Sequence, residues 1–361
     1  MKLRNWIGMS LAVVGFGLIA SGCSKGDNAT SNAPAESTGG VPVDNQGKPF
    51  VITMIAKSTG NPVFLSAQVG AEAAAKDLTK KLGREVRIDW QTPANEDGQE
   101  QAARIQQAVN NHSDAILLSC SDAAKVTGAI NDAVDKGVPV MTFDSDAPDS
   151  KRFAFYGADD PETGQMVMKE LAGQLNGQPA NVAILAGNQN APNLQKRVEG
   201  VKEEAKKYPN VKIVDTFYHV ETPQDAAAKV LEVMKANPQI NGWAMVGGWP
   251  LFTTTLLTDL DPAKVKIVAV DALPAELPYI EKGIAPVLLA QPTYNWGYVS
   301  VEKIVDKLIN KKDVPVINKM ELVRVSKENL NQWAKQLQDW GFTGIDPKYL
   351  PAAAPEPGAT K

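Results

Sequence analysis

The sequence predicts an α/β protein whose two lobes are each built on a doubly wound parallel sheet. Short apolar runs alternate with longer amphipathic segments from residue 50 to residue 291. The short runs lack strict polar alternation, which is typical of strands that are covered by helices on both faces. The rhythm begins again after Ala158, and 361 residues suffice for two domains of roughly 150 residues each.

The first lobe is predicted from five strand-like runs and the helical segments between them. The helical segments have an amphipathic pattern and polar residues at their starts, and the third ends in Lys136-Gly137, a common helix stop. The strand runs are 50–57, 86–92, 115–120, 138–144 and 153–158, and the helical segments are 62–82, 96–111 and 122–137.

The second lobe repeats this arrangement. Its strand runs are 181–187, 211–218, 242–248, 265–271 and 286–291, and its helical segments lie near 161–176, 190–207, 222–236 and 274–282. Because strands alternate with helices here as well, a second parallel sheet is expected.

The first residues predict export from the cytoplasm. Lys2 and Arg4 precede an apolar run from Ile7 to Ala20, which is shorter than the about 20 residues of a membrane span. We therefore predict a signal peptide over residues 1–22. The sequence Ala20-Ser21-Gly22-Cys23 resembles the lipobox of bacterial lipoproteins, in which the cysteine is acylated, although Ala20 stands where that motif usually has Leu. Ordinary signal-peptide cleavage nearby is the alternative.

The ends of the mature chain are predicted to be flexible. Residues 23–49 are small and polar, so the lipidated Cys23 is expected to lead into a tether that cannot bury enough apolar surface to fold. Residues 346–361 are predicted to form a disordered tail. The folded part is then expected in the periplasm or on the cell surface, anchored to the membrane by lipid.

Charge and composition exclude several classes of function. The chain carries a net charge of −4, and removal of residues 1–22, which hold two basic and no acidic residues, leaves −6. No basic stripe suggests a nucleic-acid partner. Beyond Cys23 the only cysteine is Cys120, which ends an apolar run and is interpreted as a buried thiol rather than a nucleophile. The two histidines, His112 and His219, lack metal-ligand spacing, so no metal or other cofactor is expected.

Polar and aromatic residues follow many of the predicted strands. Ligands of doubly wound sheets bind at the carboxyl ends of the strands, so these residues are candidates for a site. Their carboxylates, amide and hydroxyls can orient the hydroxyls of a ligand, and aromatic faces can pack on the C–H surfaces of a sugar ring. The candidates are Lys57-Ser58-Thr59, Phe64, Thr92, Ser119–Ser121, Asp144, Gly187, Tyr218, Gly247-Gly248-Trp249, Asp271 and Gln291.

Five motifs, in order and spacing, make residues 50–325 resemble the type I periplasmic sugar-binding proteins of the ribose-binding class. The motifs are STGNPVF (58–64), GVPVMTFDSDAP (137–148), KRVEG (196–200), VKIVAVDA (265–272) and LLAQPTYNWGYVSVEKI (288–304). The resemblance implies a monomer of two hinged lobes, 50–157 plus 292–319 and 158–291 plus 320–345. It also implies delivery of a sugar to the permease of an ABC transporter.

The resemblance also assigns ligand contacts, residue by residue. Asn61 and Phe64 are expected to contact ligand from the first lobe, and Asp144 is expected to grip its hydroxyls. Asp271 is the expected carboxylate of the second lobe, and Gln291 an amide at the hinge. Trp249 is either a stacking platform for the ligand or a packing residue, and Asp146 either a second contact or part of a turn.

Departures from the ribose-binding pattern point to a different ligand. Where that class has Phe, Arg, Arg and Asn, this chain has Val63, Ser145, Gln195 and Gly248. Loss of two guanidinium groups argues against ribose, so the predicted ligand is another monosaccharide, a polyol or a small diol. Arg197 either compensates for the missing arginines or has a structural role between helices.

Three other classes of protein are alternatives to a component of an importer. An enzyme is disfavoured because the chain has no G-x-G-x-x-G after the first strand, no P-loop and no nucleophile paired with a base. A sugar-responsive transcription regulator would need a helix-turn-helix before the first strand, where this chain has a signal and a linker. A sensor partner that presents its ligand to a membrane receptor stays open, because it would use the same two lobes.

Overall fold

Two six-stranded sheets form the framework of the protein in the computed structural model, which describes residues 47–351. The strands are β1 (Phe50–Ile55), β2 (Val86–Trp90), β3 (Ala115–Leu118), β4 (Val140–Phe143), β5 (Ala154–Gly157), β6 (Ala180–Ala186), β7 (Val211–Tyr218), β8 (Gly242–Met245), β9 (Lys266–Val270), β10 (Val287–Ala290), β11 (Ile317–Lys319) and β12 (Val323–Val325). The signal peptide, Cys23, most of the tether and residues 352–361 lie outside the described residues.

Helices cover these sheets. They are α1 (Pro62–Leu82), α2 (Gly98–Asn110), α3 (Ala123–Asp135), α4 (Asp160–Leu175), α5 (Pro192–Ala205), α6 (Pro223–Ala236), α7 (Leu277–Lys282), α8 (Thr293–Leu308) and α9 (Leu330–Asp339). Within residues 47–351, no helix is long and apolar enough to cross a membrane.

Strand order confirms the predicted fold class. The first sheet has the order β11-β5-β4-β3-β1-β2 and all its pairs are parallel. The second has the order β12-β10-β9-β8-β6-β7 and is parallel except where β12 pairs with β10. Each sheet with its covering helices is called a lobe below.

The chain crosses between the two lobes at one side of the molecule. Crossings follow β5, β10 and β11, which lie at or next to the same edge of their sheets. Strands β2 and β7 form the opposite edge of each sheet. The cleft between the lobes therefore has a connected edge and a free edge.

Glycines allow the helices behind each sheet to pack closely. A Cβ at Gly70 of α1 would overlap the backbone of Tyr294 in α8, and a Cβ at Gly164 of α4 would overlap the backbone of Arg197 in α5. The helix pairs α1–α8 and α4–α5 accordingly make the most extensive helix contacts among the described residues. The close packing of α4 and α5 fixes the position of Arg197, a residue of the candidate site.

One predicted boundary is wrong. The disordered tail was expected from residue 346, but Pro347–Tyr349 form a 3₁₀ turn that Asp346 caps. Tyr349 is only 3% exposed, and its hydroxyl donates a hydrogen bond to Glu281 at 2.7 Å. A buried aromatic ring and a hydrogen bond to a side chain of α7 hold residues 346–349 in place, which a composition rich in Pro and Ala does not reveal.

Candidate functional site

Asp144 and Asp271 occupy equivalent places in the two lobes. Asp144 follows β4 and Asp271 follows β9, so each lies at the carboxyl end of a central strand. Both backbones are left-handed, with φ of 56° for Asp144 and 79° for Asp271. Residues other than glycine rarely adopt this conformation, and such strain is concentrated at functional sites. The carboxylates are thus aimed by a backbone conformation that costs stability.

The carboxylate of Asp144 joins the two lobes. It accepts hydrogen bonds from Ser119 Oγ at 2.7 Å and from Asn193 Nδ2 at 3.2 Å. Lys57 Nζ lies 3.8 Å from the same carboxylate and donates to Asn193 Oδ1 at 3.1 Å. Lys57, Ser119 and Asp144 follow strands of the first sheet, whereas Asn193 lies in the first turn of α5 in the second lobe. All four side chains are buried.

Lys57 is a buried cation. Burial is the largest single influence on its pKa and lowers it, but Asp144, Glu96 and Glu221 together outweigh burial and raise the pKa above its ordinary value. Lys57 therefore stays protonated and offers three N–H donors toward the cleft.

A second network surrounds Asp271. Its carboxylate accepts from Gln291 Nε2 at 2.9 Å and from the backbone N–H of Gly248 at 3.3 Å. Gln291 Oε1 accepts in turn from Arg197 Nη2 at 2.9 Å. Burial raises the pKa of Asp271, while the hydrogen bond from Gln291 and the charge of Arg197 oppose that shift. Asp271 and Gln291, both predicted site residues, are thus in direct contact.

Arg197 has the structural role between helices that was one of its two predicted roles, and compensation for the missing arginines stays a prediction. Its Nε donates to Asp160 of α4 at 2.9 Å, and its Nη1 donates to the carbonyl of Val246 at 3.2 Å. The buried guanidinium thereby locks α5 onto α4 and at the same time orients Gln291 toward Asp271. It supports the second-lobe part of the site from behind.

The other three predicted contacts lie in packed surroundings. Asn61 caps α1, and its Oδ1 accepts from the N–H of Val63 at 3.2 Å. Phe64 is buried in the core of the first lobe, where its ring stacks on Trp296 at 6.0 Å between centroids. Trp249 is buried in the core of the second lobe, with its ring edge-on to His219 at 4.9 Å.

A cavity of about 610 Å³ opens between the lobes near the free edge of the cleft. Its first-lobe lining includes Ser58 and Gly60, next to Asn61, and the loop that holds Glu96. Its second-lobe lining includes Tyr218 and Glu221. None of the six predicted contact residues lines it. The hydrogen bonds between Lys57, Asp144 and Asn193 instead bring the two lobes together deeper in the cleft.

Two residues of the deep network were singled out by the sequence only as strand ends, and one was not found. Lys57 and Ser119 lie just after β1 and β3, and this position at the end of a strand is the sequence feature that marked them as candidates. Asn193 lies within a helix, one residue after the Pro192 that begins α5, and no local pattern marks it. Its importance follows from its partners Lys57 and Asp144 in the other lobe.

Asp146 and Cys120 have structural surroundings. Asp146 forms an ion pair with Arg152 at 2.6 Å and accepts from Thr142 Oγ1 at 2.6 Å, so its turn is fixed within the first lobe. Cys120 is fully buried, and burial raises the pKa of its thiol. Among residues 47–351, no group of three or more His, Cys, Asp or Glu side chains is arranged to hold a metal ion.

The fold agrees with a comparison to known families. The profile described as "Periplasmic binding protein domain" matches residues 52–312. The chain belongs to this family. Periplasmic binding proteins are solute-binding proteins rather than enzymes, and their family implies a location outside the cytoplasm.

Several relatives of this periplasmic binding protein have known names or structures. The ribose import binding protein of Bacillus subtilis (strain 168) is 30% identical over 153 residues, which are 42% of this chain and 48% of that protein. The match thus spans about half of that relative. A solute-binding protein of an ABC transporter from Burkholderia graminis C4D1M, solved with D-arabinose, is 26% identical with a TM-score of 0.71, over 78% of this chain and 96% of that one. XylFII, solved in a complex with LytSN, is 28% identical with a TM-score of 0.69, over 77% and 98%.

Proposed function

We propose that this protein captures a neutral monosaccharide or a similar polyol between its lobes and delivers it to the permease of an ABC transporter. The observation that carries this proposal is the place of the Asn193 amide. It donates to Asp144 and accepts from Lys57. A sugar hydroxyl also donates one hydrogen bond and accepts others, so it matches the same two partners.

On ligand binding, contacts with the ligand would replace the present contacts between the two lobes. When the lobes separate, Asn193 leaves Asp144 and Lys57, whose charged groups then face the cleft. Hydroxyls of a polyol would satisfy both groups, and on the opposite side they would bond to Asp271 and Gln291 with Arg197 behind them. We also propose Asn61, Phe64 and Trp249 as ligand contacts, the two aromatic rings through the edges that border the cleft when the lobes separate.

A neutral ligand suits the charges of this region. Asp144 is balanced by Lys57, and Asp160 by Arg197, at distances of 3.8 Å and 2.9 Å. Asp271 has amide and backbone donors, and no residue of the range 47–351 forms an ion pair with it within 4 Å. An anionic sugar would add a charge beside buried carboxylates, which is costly in a medium of low dielectric.

Closure would proceed by rotation of two bodies, residues 50–157 plus 292–319 and residues 158–291 plus 320–345. The crossings after β5, β10 and β11 lie at one edge, and this arrangement supports a hinge there. We propose a monomer, held at the outer face of a membrane by lipid on Cys23.

A screen of ligands tests the sugar assignment. Thermal shifts are measured with pentoses, hexoses, deoxy sugars, polyols and inositols, and with amino acids and divalent metals as the comparison set. Stabilisation by one or a few sugars or polyols is expected, since binding to the folded state alone raises the melting temperature. If only amino acids or metals stabilise the protein, the sugar site is refuted.

A second candidate function is presentation of the ligand to a membrane receptor. It is favoured by one observation, the solved complex of the relative XylFII with LytSN. Deletion of the partner ABC permease distinguishes the two functions. If this protein serves an importer, uptake of the identified sugar stops in the deletion strain. If the deletion strain still responds to the sugar and loses no uptake, the receptor role is indicated.

A further inference from the structure

Two glutamates from opposite lobes meet at the free edge of the cleft. Glu96 lies in the loop after β2, and Glu221 lies in the loop after β7. These strands form the sheet edges that are opposite the chain crossings. Both residues line the 610 Å³ cavity between the lobes. A contact here is therefore made or broken by any rotation about the connected edge.

Glu221 is held in place by its own lobe. Its Oε1 accepts a hydrogen bond from the backbone N–H of Asn188 at 2.9 Å. Its carboxylate also packs against Gly187, where a Cβ would overlap it. The Asn188 N–H thereby fixes the direction of the Glu221 carboxyl group at the free edge of the cleft.

The carboxyl of Glu96 is directed at Glu221. The two side chains lie within hydrogen-bond reach of each other. Both Glu96 oxygens are buried, and no described residue provides either of them with a well-oriented donor. Two ionised carboxylates in this position would repel each other and leave buried oxygens unsatisfied. One proton between them removes the repulsion of two anions and gives one of the Glu96 oxygens a hydrogen-bond partner.

The surrounding charges leave this conclusion unchanged. Burial raises the pKa of Glu96 most, the charge of Glu221 raises it further, and Lys57 and the Asn188 side chain lower it, with a result of about 8. On the second-lobe side, the neighbouring titratable groups include His219, Asp225 and Lys229. Burial lowers the pKa of His219, which disfavours a compensating positive charge on this histidine.

We propose that Glu96 and Glu221 share one proton when the lobes are closed, so that closure of the cleft takes up a proton. For the closed state induced by a sugar, this inference rests on the proposed function. A metal ion between the carboxylates is the competing explanation. It is disfavoured because no third acidic, His or Cys ligand joins them within residues 47–351.

The consequence is an affinity for sugar that depends on pH. With the lobes apart, both carboxyls face water and titrate like ordinary glutamates, near pH ~4.3. The closed pair retains its proton up to about pH 8. Closure therefore gains one proton between these values, and linkage makes the affinity fall by up to about tenfold per pH unit as the pH rises from 5 to 8. Above pH 8 the affinity should level off.

Carboxyl titration by NMR tests the shared proton directly. The full-length mature protein is labelled with ¹³C at the glutamate carboxyls and titrated from pH 4 to 9, without sugar and with saturating sugar. Two resonances with midpoints above the others are expected, because burial also raises the pKa of Glu276. The one that belongs to Glu96 should be absent from Glu96→Gln and retained in Glu199→Gln, a control at an exposed position of α5. If no resonance that titrates above pH 6 is lost in Glu96→Gln, the proposal is overturned.

Affinity measurements test the coupling to closure. Calorimetry between pH 5.5 and 8.5 uses the strongest hit of the sugar screen, with D-arabinose as the first probe. Glu96→Gln provides a permanent donor to Glu221. The affinity of this variant for the sugar should therefore vary less than threefold over the pH range in which the parent protein loses tenfold or more. Equal pH dependence of the sugar affinity in both proteins overturns the coupling. An equal loss of sugar affinity at every pH on addition of a calcium chelator also overturns it, because that result would indicate a metal ion. If no sugar binds at all, the proposed function fails, and the NMR titration of the sugar-free protein still decides whether the proton is shared.

Discussion

Replacement of Asp144 by asparagine separates its role in binding from its role in stability. Asparagine keeps the shape of the side chain and tolerates the left-handed φ of 56°, so the backbone is not further strained. The change removes a charge that accepts from Ser119 and Asn193 and faces Lys57. The buried ammonium of Lys57 then lacks its nearest anion.

The magnitude follows from these contacts. Loss of a charged hydrogen bond to a ligand hydroxyl costs about 1.5 to 3 kcal/mol, which corresponds to roughly a tenfold to hundredfold weaker affinity. Stability falls as well, because the pKa of Lys57 is raised largely by Asp144 and returns toward its ordinary value without it. We expect a loss of about 1 to 3 kcal/mol in the free energy of unfolding, below the 3 to 5 kcal/mol of a fully broken buried ion pair, since Lys57 keeps its bond to Asn193.

Asp146→Asn is the matched control for this experiment. Asp146 is two residues away, and its ion pair with Arg152 lies within the first lobe. Its replacement should lower the free energy of unfolding by a similar amount and leave sugar affinity within threefold of the parent. Calorimetry with the identified sugar and urea unfolding measure the two quantities. Unchanged affinity in Asp144→Asn, or an equal loss of affinity in Asp146→Asn, would refute the assignment of Asp144 to the site.

Three further predictions concern the second lobe, the hinge and the anchor. Gln291→Leu should weaken sugar binding at least tenfold and lower the melting temperature. The Gln291 side chain lies 2.9 Å from both Arg197 Nη2 and Asp271 Oδ1, and leucine would leave each of these atoms without that hydrogen bond. Unchanged calorimetric affinity would exclude Gln291 from the site. Small-angle X-ray scattering should show a smaller radius of gyration at saturating sugar, and identical curves would argue against rotation of the lobes. Cys23→Ala should move the protein from the membrane fraction to the soluble fraction or leave it as precursor, as should globomycin, whereas unaltered processing and fractionation would show that Cys23 is not lipidated.

Local sequence determined most of the fold. Apolar runs such as 115–120 and 265–271 are short, lack polar alternation and are bounded by helix signals, so they could be predicted as buried parallel strands and are found as β3 and β9. Asp271 and Gln291 were also predicted as residues at strand ends, and their direct contact became clear once the structure showed that the two strands are parallel neighbours. The strain at Asp144 and Asp271 was not predictable, since aspartate has no strong preference for positive φ.

Only the tertiary structure decided which side chains meet across the cleft. Lys57 and Asn193 are 136 residues apart, and Glu96 and Glu221 lie in different lobes, so their contacts depend on how two separately folded sheets are oriented. Hydrophobic periodicity specifies which face of a strand or helix is buried, but it carries no information on the relative rotation of two lobes. Phe64 shows the same limit, because its place after a strand end does not specify what its ring packs on, and only the structure shows the contact with Trp296 in the core of its lobe.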